Sequence, residues 1–224
     1  EQCQVKVPSW RNDLSIPESL VSEYLRIYGM SQQESSGIKA TITAGVETYA
    51  RIDRTITALK QYMIGQGFFE TYSYSFGDAQ EMQFFYHDTD ALVTLTNPIS
   101  AALKTMRPTL LSGLLRQLKK NLAKQTVDVR LFEVGQCFQR DPNGDVVEQC
   151  MLSAIMTGKV LPESWQDGGA LSFTHVKSIM QKALHIIPLQ ASVDMQWLPT
   201  EITGMHPHQS GQITVNNQVV GSCG

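Results

Sequence analysis

The sequence lacks the features that would place the chain in a membrane or in a disulfide-stabilised secreted fold. No run approaches the roughly 20 apolar residues that a membrane helix needs, and residues 1–8 lack the basic start and apolar stretch of a secretory leader. Cys3, Cys137, Cys150 and Cys223 form no C-x-x-C pair and have no zinc-knuckle spacing. These absences predict reduced thiols, no membrane partner and a cytoplasmic location.

Positive charge and phosphate-binding motifs are also scarce. The 224 residues carry a net charge of −3, which argues against a nucleic-acid-binding surface over the whole protein. Neither a P-loop nor a dinucleotide-binding fingerprint occurs. The composition, with 42% hydrophobic and 17% charged residues, is that of an ordinary globular protein of one or two domains.

Composition divides the chain into three parts. Residues 1–30 are predicted to be a small N-terminal remnant, and residues 31–46, rich in Ser, Gln, Thr and Gly, a linker. Residues 47–224 form the main domain. Because the chain starts at Glu1 rather than methionine and stops at Gly224 within a predicted strand, we expect a longer polypeptide and a main domain truncated at its C-terminal end.

The N-terminal part combines a strand pattern with a helix pattern. Residues 3–9 alternate weakly and predict a short strand, which Pro8 limits to an edge or a strand end. A helix follows, for which Ser15 is the expected cap and Pro17 suits the first turn. Gly29 is expected to end this helix with a left-handed backbone.

Helical and strand patterns alternate in the main domain without regular βαβ spacing. Apolar periodicity predicts three helices, near residues 47–65, 111–122 and 174–185, and Gly65 and Gly67 are expected to end the first of them. Residue alternation and turn signals predict seven strands, near residues 68–76, 92–96, 127–138, 146–157, 192–197, 211–215 and 218–223. The Asp141–Gly144 turn is expected to link the third and fourth of these as an antiparallel pair, and Asn216 and Asn217 suit a tight type I′ turn between the last two. This order favours an α+β domain in which helices flank an antiparallel sheet.

The helix near residues 47–65 carries a narrow apolar seam. Its members are spaced four, three and four residues apart: Ile52, Ile56, Leu59 and Met63. This stripe is narrower than that of an ordinary core-facing helix and is typical of a coiled-coil contact. Burying each such side chain is worth ~1.5–3 kcal/mol. The seam therefore predicts a subunit interface, with a core role as the alternative.

Five strings in the sequence resemble, in the same order, segments of one family. They are residues 7–11 (VPSWR) with 26–29 (RIYG), 67–76 (GFFETYSYSF), 97–100 (NPIS) with 106–115 (MRPTLLSGLL), 131–135 (LFEVG) with Phe138, and His206, Pro207 and Ser210 before a hairpin. Together they cover nearly the whole chain, which resembles the beta subunits of bacterial phenylalanine–tRNA synthetases. In the last string, His208 and Gly211 replace the family's Gly and Ala.

The resemblance implies a ligase that attaches phenylalanine to its tRNA with ATP and magnesium, built from two alpha and two beta chains. Residues 1–30 would be the end of a helix-rich domain, and residues 47–224 a degenerate class II synthetase-like module. The alpha subunit alone would bind ATP. The chain is therefore expected to contribute no catalytic or cofactor-binding residue and to be inactive when isolated.

The arginines with which class II enzymes grip ATP are missing from the expected positions. Gly65-x-Gly67 is followed by Glu70 where arginine is needed, and a carboxylate repels phosphate. Arg130 and Glu133 are separated by two residues rather than by the one that would put both on the same strand face. Arg130 is therefore expected at the surface of a strand end, with an ATP ligand as the alternative.

The resemblance also implies an acidic cluster that helps to hold a magnesium ion shared with the alpha chain. The matching positions are Asp13, Ser19, Ser22 and Glu23, so two of the four are carboxylates. Magnesium prefers carboxylate oxygens, and Asp13 and Glu23 are the candidate ligands. In the alternative, Asp13 favours the dipole of the helix N-terminus and Glu23 is a solvated surface residue.

Two other groups have both a functional and an ordinary explanation. His206 and His208 could pair on a metal, but no carboxylate or cysteine is close in sequence, so a surface or structural role is expected. A basic helix face could contact tRNA phosphates, which would make binding salt-dependent, although a solvated face is the expected role. This face consists of Arg116, Lys119, Lys120 and Lys124.

Three functions are compatible with these residues. The first is a structural, catalytically silent module of a ligase complex. The second is a free-standing nucleic-acid-binding or protein-binding module derived from a synthetase fold. The third, an active small-molecule ligase, is disfavoured because the phosphate-gripping arginines are missing.

Overall fold

The chain forms two compact units, Glu1–Gly45 and Val46–Gly224. The computed structural model describes residues 4–32, 37, 40, 47–84, 86, 88–161, 165, 168–188 and 194–224. The predicted linker, residues 31–46, lies mostly outside this described part of the chain.

The first unit contains helix α1 (Pro17–Tyr28). Pro17 begins the helix, since the amide hydrogen that proline lacks has no partner in a first turn. Ile16, rather than the expected Ser15, occupies the cap position, and no side chain caps the helix. Gly29 ends it at a φ of +102° but with a ψ of 120°, outside the left-handed helical region. Residues 4–8, predicted as part of a strand, have no regular secondary structure.

The second unit combines helices with short and long strands. Its helices are α2 (Glu47–Gly65), α3 (Ala79–Gln83), α4 (Leu111–Ala123) and α5 (Phe173–Ile186). Its strands are β1 (Phe69–Glu70), β2 (Phe76–Gly77), β3 (Thr105–Met106), β4 (Val129–Arg140), β5 (Val146–Thr157), β6 (Met195–Pro199), β7 (Gly211–Val215) and β8 (Gln218–Cys223). The long helices and the strands from β4 onward lie close to their predicted positions. Residues 68–76 and 92–96 were predicted as strands but are mostly irregular: Thr94 only forms an isolated bridge with Thr105.

In the part of the chain that the structure describes, the strands form three small sheets. One has the order β1-β4-β5, a second pairs β2 with β3, and a third has the order β6-β7-β8. The prediction of an α+β fold with helix-flanked sheets is confirmed. The first sheet is mixed rather than antiparallel, because β1 runs parallel to β4, with Phe69 opposite Leu131. Side-chain alternation predicts that a segment is a strand but does not encode the direction of its partner.

Strand β4 is hydrophobic on both faces because helices cover both. On one face, Phe132 packs with Met63 of α2 and with Phe68. On the other, Leu131 packs with Leu114 of α4. Phe132 and Leu114 are fully buried, so the middle of the domain is built around this strand.

The β6-β7-β8 sheet packs against α5 through aromatic contacts. The rings of Phe173 and Trp197 lie 5.7 Å apart, and the Lys177 ammonium group lies 4.7 Å from the Trp197 ring centre. Asn216 and Asn217 join β7 to β8 with φ of +50° and +64°, as the predicted type I′ turn requires. None of the helices in the described part of the chain has the length and apolarity that crossing a bilayer requires.

Candidate functional site

The seam of α2 becomes more exposed toward the helix N-terminus. Met63 is 2% exposed and Leu59 7%, Ile56 is half-buried, and Ile52 is 50% exposed. Leu59 and Met63 therefore belong to the chain's own core, where Met63 contacts Phe132. Their burial favours the core role, which was the alternative for this seam, and an interface at the seam stays a prediction. Ile52 and Ile56 stay candidates for an interface.

An extended segment beside α2 exposes three aromatic side chains. Phe69, Tyr72 and Tyr74 are 75%, 77% and 80% exposed, and we call them the aromatic edge. Phe68 points the other way into the core, as the alternation of an extended backbone requires. Sequence analysis missed this surface because a Thr-, Tyr- and Phe-rich run is equally typical of a strand covered on both faces. The β1 segment lies at the edge of its sheet.

The aromatic edge is tied to α2 by one lysine. The Lys60 ammonium group lies 2.6 Å from the Glu70 carboxylate and 5.6 Å from the centre of the Tyr72 ring. The Glu70 carboxylate and, secondarily, the Tyr72 hydroxyl raise the pKa of Lys60, against the opposing effect of burial. Glu70, which occupies the position where a phosphate-binding arginine was expected, thus pairs with a cation of the same domain.

A shallow cleft lies next to the exposed end of the seam. Its volume is about 280 Å³, and α2 and the end of α5 form its walls. It is lined by Arg51, Arg54, Thr55, Ala58, Ile186 and Pro188. Arg51 donates a hydrogen bond of 3.4 Å to the Pro188 carbonyl. The cleft extends the exposed surface of the N-terminal half of α2 toward α5.

A buried ion pair joins two of the strings that carry the family resemblance. Arg107 Nη1 lies 2.5 Å from Glu133 Oε1, and the two residues are 6% and 2% exposed. Arg107 Nε donates to the Gln136 carbonyl at 2.8 Å. Ser73 donates to Glu133 Oε2 through its hydroxyl at 2.7 Å and to Oε1 through its amide at 3.2 Å. Additional hydrogen bonds of this kind are what make a buried ion pair tolerable.

Two glycines make room for this network. A Cβ on Gly135 would collide with the Arg107 guanidinium, and a Cβ on Gly113 would collide with the Ser73 side chain. Gly135 belongs to β4 and Gly113 to α4, so one glycine from each of these two strings serves the packing around the ion pair. The sequence alone does not reveal this contact, because Arg107 and Glu133 are far apart along the chain.

Arg130 is committed to the protein's own backbone. Its guanidinium donates to the Gln66 carbonyl at 3.0 Å, to the Lys159 carbonyl at 3.2 Å and to the Val160 carbonyl. The side chain is half-buried and holds the turn after α2 against the segment after β5. Arg130 lies at the start of β4, as expected of a strand-end residue, but the donors that a phosphate would use bind three carbonyl groups rather than solvent.

The candidate magnesium ligands of the first unit lie around arginines. Arg11 Nη2 is 2.7 Å from Asp13 Oδ2 and 2.9 Å from Glu23 Oε1, and Arg26 Nη2 is 2.7 Å from Glu23 Oε2. Hydrogen bonds from Arg11, and then from Arg26, lower the pKa of Glu23 to about 2. Ser22 donates its hydroxyl to the Glu18 carbonyl within the helix.

This donor set does not fit a magnesium ion as it stands. The guanidinium of Arg11 occupies oxygens of both carboxylates that would be ligands. Within the described ranges, no group of three or more His, Cys, Asp or Glu side chains could hold a metal. Magnesium at Asp13 and Glu23 stays a prediction. His206 and His208 are exposed, and the His208 amide donates to His206 Nδ1 at 3.2 Å.

Helix α4 presents the predicted basic face. Arg116 pairs with Glu81 across the surface. Lys119, Lys120 and Lys124 are exposed.

Comparison with known proteins gives consistent matches over the chain. Residues 38–224 match the family described as the phenylalanyl tRNA synthetase beta chain CLM domain. The chain is 31% identical over 229 residues to the phenylalanine–tRNA ligase beta subunit of Photorhabdus laumondii, which covers 100% of this chain and 28% of that protein. It is 32% identical over 226 residues to the Francisella tularensis beta subunit, with 99% and 27% covered.

Solved structures share the fold at low sequence identity. A pyrrolysyl tRNA synthetase from Desulfitobacterium hafniense superposes with a TM-score of 0.54 at 14% identity, covering 76% of this chain and 57% of that one. An ATP phosphoribosyltransferase regulatory subunit/histidyl-tRNA synthetase from Bacillus halodurans C gives 0.51 at 13% identity, covering 77% and 42%. At these identities the similarity shows the fold alone, which is that of synthetase-like proteins.

Proposed function

This chain belongs to the phenylalanyl-tRNA synthetase beta-chain family, and on that premise we propose that it is a catalytically silent structural module of a phenylalanine–tRNA ligase. The chain spans about 28% of the length of the curated relatives that it matches. The proposal therefore includes the complete assembly: two alpha and two beta chains in the cytoplasm that charge tRNA(Phe) with ATP and magnesium. In this assembly the alpha subunit binds the ATP.

The commitment of its arginines supports a silent module. Arg130 donates hydrogen bonds to three carbonyl groups, and Arg107 is paired with Glu133 inside the domain. Releasing Arg107 to a phosphate would leave the Glu133 carboxylate buried without its partner, at a cost of about 3–5 kcal/mol. A nucleotide would have to overcome that cost before gaining any affinity.

The main support for a structural role is the exposed end of the α2 seam. Ile52 continues, at 50% exposure, the same stripe that Leu59 and Met63 bury in the core. The aromatic edge adds three aromatic rings that are each at least 75% exposed. Protein interfaces are enriched in aromatic residues, and their binding energy is concentrated in such anchors. We therefore assign this surface to contact with the alpha subunit.

Two measurements test the proposal, one on the chain with the alpha subunit and one on the chain alone. The chain, co-expressed with the alpha subunit of its own organism, is expected to co-purify with it in a fixed ratio. Alone, it is expected to show no phenylalanine-dependent pyrophosphate exchange. A folded chain that never associates with the alpha subunit would favour a free-standing binding module instead, and exchange by the isolated chain would contradict the silent site.

A further inference from the structure

One face of α4 concentrates exposed lysines. Lys119 and Lys120 lie in the last turns of the helix, Lys124 follows its last residue, and all three are exposed. We call them the lysine face. At 3.6 residues per turn, these positions and Arg116 fall within an arc of about 140°. From Lys119 to Lys124 the axial rise is about 7.5 Å at 1.5 Å per residue.

The ammonium groups of the lysine face have no carboxylate partner in the part of the chain that the structure describes. Arg116, the arginine on the same side of the helix, pairs with Glu81, so the unpaired positive charge of this face lies at its three lysines. The helix dipole favours a cation near the last turn only weakly when the side chain is exposed. Since the whole chain carries a net charge of −3, this positive charge is a local feature.

The composition of the face indicates what kind of partner it fits. Protein–protein interfaces are depleted in lysine and enriched in aromatic residues. The aromatic edge, with Phe69, Tyr72 and Tyr74, has that composition, whereas the lysine face does not. Unpaired lysines on flexible stems suit phosphates, because each one that neutralises a phosphate releases condensed counterions.

We propose that the lysine face binds the phosphate backbone of RNA without reading its sequence. Contacts to phosphates position a nucleic acid but carry no base information. This inference rests on the proposed function, in which a tRNA is a substrate of the assembly. It adds a contact of this domain with that RNA, on an element separate from the α2 seam and the aromatic edge.

Binding of the 224-residue chain to a fluorescently labelled tRNA transcript, followed by anisotropy at several salt concentrations, tests the proposal. The test variant combines Lys119→Gln, Lys120→Gln and Lys124→Gln, which preserve helix propensity. The slope of log Kd against log salt is expected to fall by about 3, one for each lost phosphate contact. At about 50 mM salt the Kd is expected to rise at least about tenfold.

A matched variant removes the same charge from exposed lysines elsewhere: Lys6→Gln, Lys104→Gln and Lys182→Gln. Its slope is expected to change by less than about 1, and arginine at the three α4 positions is expected to restore binding. Equal losses in both triple variants would overturn the proposal. So would no binding by the unmodified chain at about 100 μM in about 50 mM salt.

Association with the alpha subunit, measured on the same variants, separates this inference from the proposed function. Loss of alpha binding with RNA binding intact in the α4 variant would make the lysine face a protein contact and overturn the RNA assignment. If the chain never associates with the alpha subunit but binds RNA through these lysines, the RNA-binding role of the lysine face is supported. The proposed structural role in the ligase is then contradicted.

Discussion

Arg107 and Glu133 meet at 2.5 Å in the interior of the domain, although 26 residues separate them along the chain. Neither is more than 6% exposed. The pair joins the segment after β3 to the centre of β4, and Ser73 adds the extended segment after β1. Three segments that the sequence separates are thus held by one charge pair.

Breaking this pair from one side is expected to be costly. Arg107→Met leaves the Glu133 carboxylate buried and unpaired, so the free energy of unfolding should fall by about 3–5 kcal/mol. Urea denaturation measures the loss. Arg116→Met is the matched control, because Arg116 and Glu81 pair at the surface and exposed pairs contribute about 0–1 kcal/mol. The double variant Arg107→Met/Glu133→Leu should recover most of the stability; equal losses for Arg107→Met and Arg116→Met would contradict the role of the buried pair.

An acidic residue on the exposed end of the α2 seam is expected to prevent assembly. Ile52→Asp places a charge where an apolar partner surface is proposed, so co-purification with the alpha subunit should fall sharply while the circular dichroism spectrum is unchanged. Ile64→Asp is the control, since Ile64 is 57% exposed on the same helix but away from the seam. If both variants bind alpha as the unmodified chain does, the seam is not the contact.

The carboxyl group of Glu23 is expected to titrate far below an ordinary glutamate. Hydrogen bonds from Arg11, then Arg26, lower its pKa from 4.5 to about 2. Because the folded pKa is depressed, the stabilisation is present above about pH 4.5 and is lost as the pH falls toward 2. Carbon-13 NMR of the side chain should give a midpoint near 2, and Arg11→Gln should raise it more than Arg26→Gln. A midpoint near 4.5 in the unmodified chain would show that the arginines do not hold the carboxylate.

The same resonances decide between the arginine cluster and a magnesium ion. With Arg11 between Asp13 and Glu23, addition of about 1 mM magnesium, a level at which weak carboxylate sites fill, should leave both carboxyl resonances unchanged. Arg11→Gln removes the competing cation and provides the comparison. Saturable shifts at both carboxylates in the unmodified chain would confirm the magnesium site predicted from the resemblance.

Cysteine reactivity is expected to follow burial. Burial raises the pKa of Cys137 and that of Cys223 to about 11; it also raises the pKa of Cys150, but the side chain of this residue is exposed. At pH 8, a maleimide or disulfide reagent should therefore label Cys150 in the native protein, and Cys137 and Cys223 only after unfolding. Peptide mass spectrometry identifies the labelled sites. Rapid native labelling of Cys137 would show that the centre of β4 opens readily.

Some features followed directly from local sequence patterns. The limits of α2 were predicted from its apolar periodicity and the following glycines, and the β4–β5 hairpin from the Asp141–Gly144 turn between alternating runs. The tight turn at Asn216 and Asn217 was predictable because few residue types other than asparagine adopt positive φ readily. In each case the determining interaction lies within a few residues of the chain.

Other features depended on which elements cover a surface. The seam Ile52, Ile56, Leu59 and Met63 has one spacing throughout, yet its C-terminal half is core and its N-terminal end is exposed. The aromatic run 68–76 was predicted as a strand, but most of it is irregular in the structure. Three of its rings are exposed because no other element in the described part of the chain covers them.

By itself, the sequence determined the family, the positions of the long helices and the later strands, and the small set of charged residues from which any site must be built. The tertiary structure alone decided that β1 runs parallel to β4, that Arg130 binds carbonyl groups, and that Arg107 meets Glu133. The physical reason is the separation along the chain over which each kind of interaction acts. Periodicity and turn preference act over one or two turns of chain, whereas burial and ion pairing depend on distances in space between segments that the sequence keeps apart.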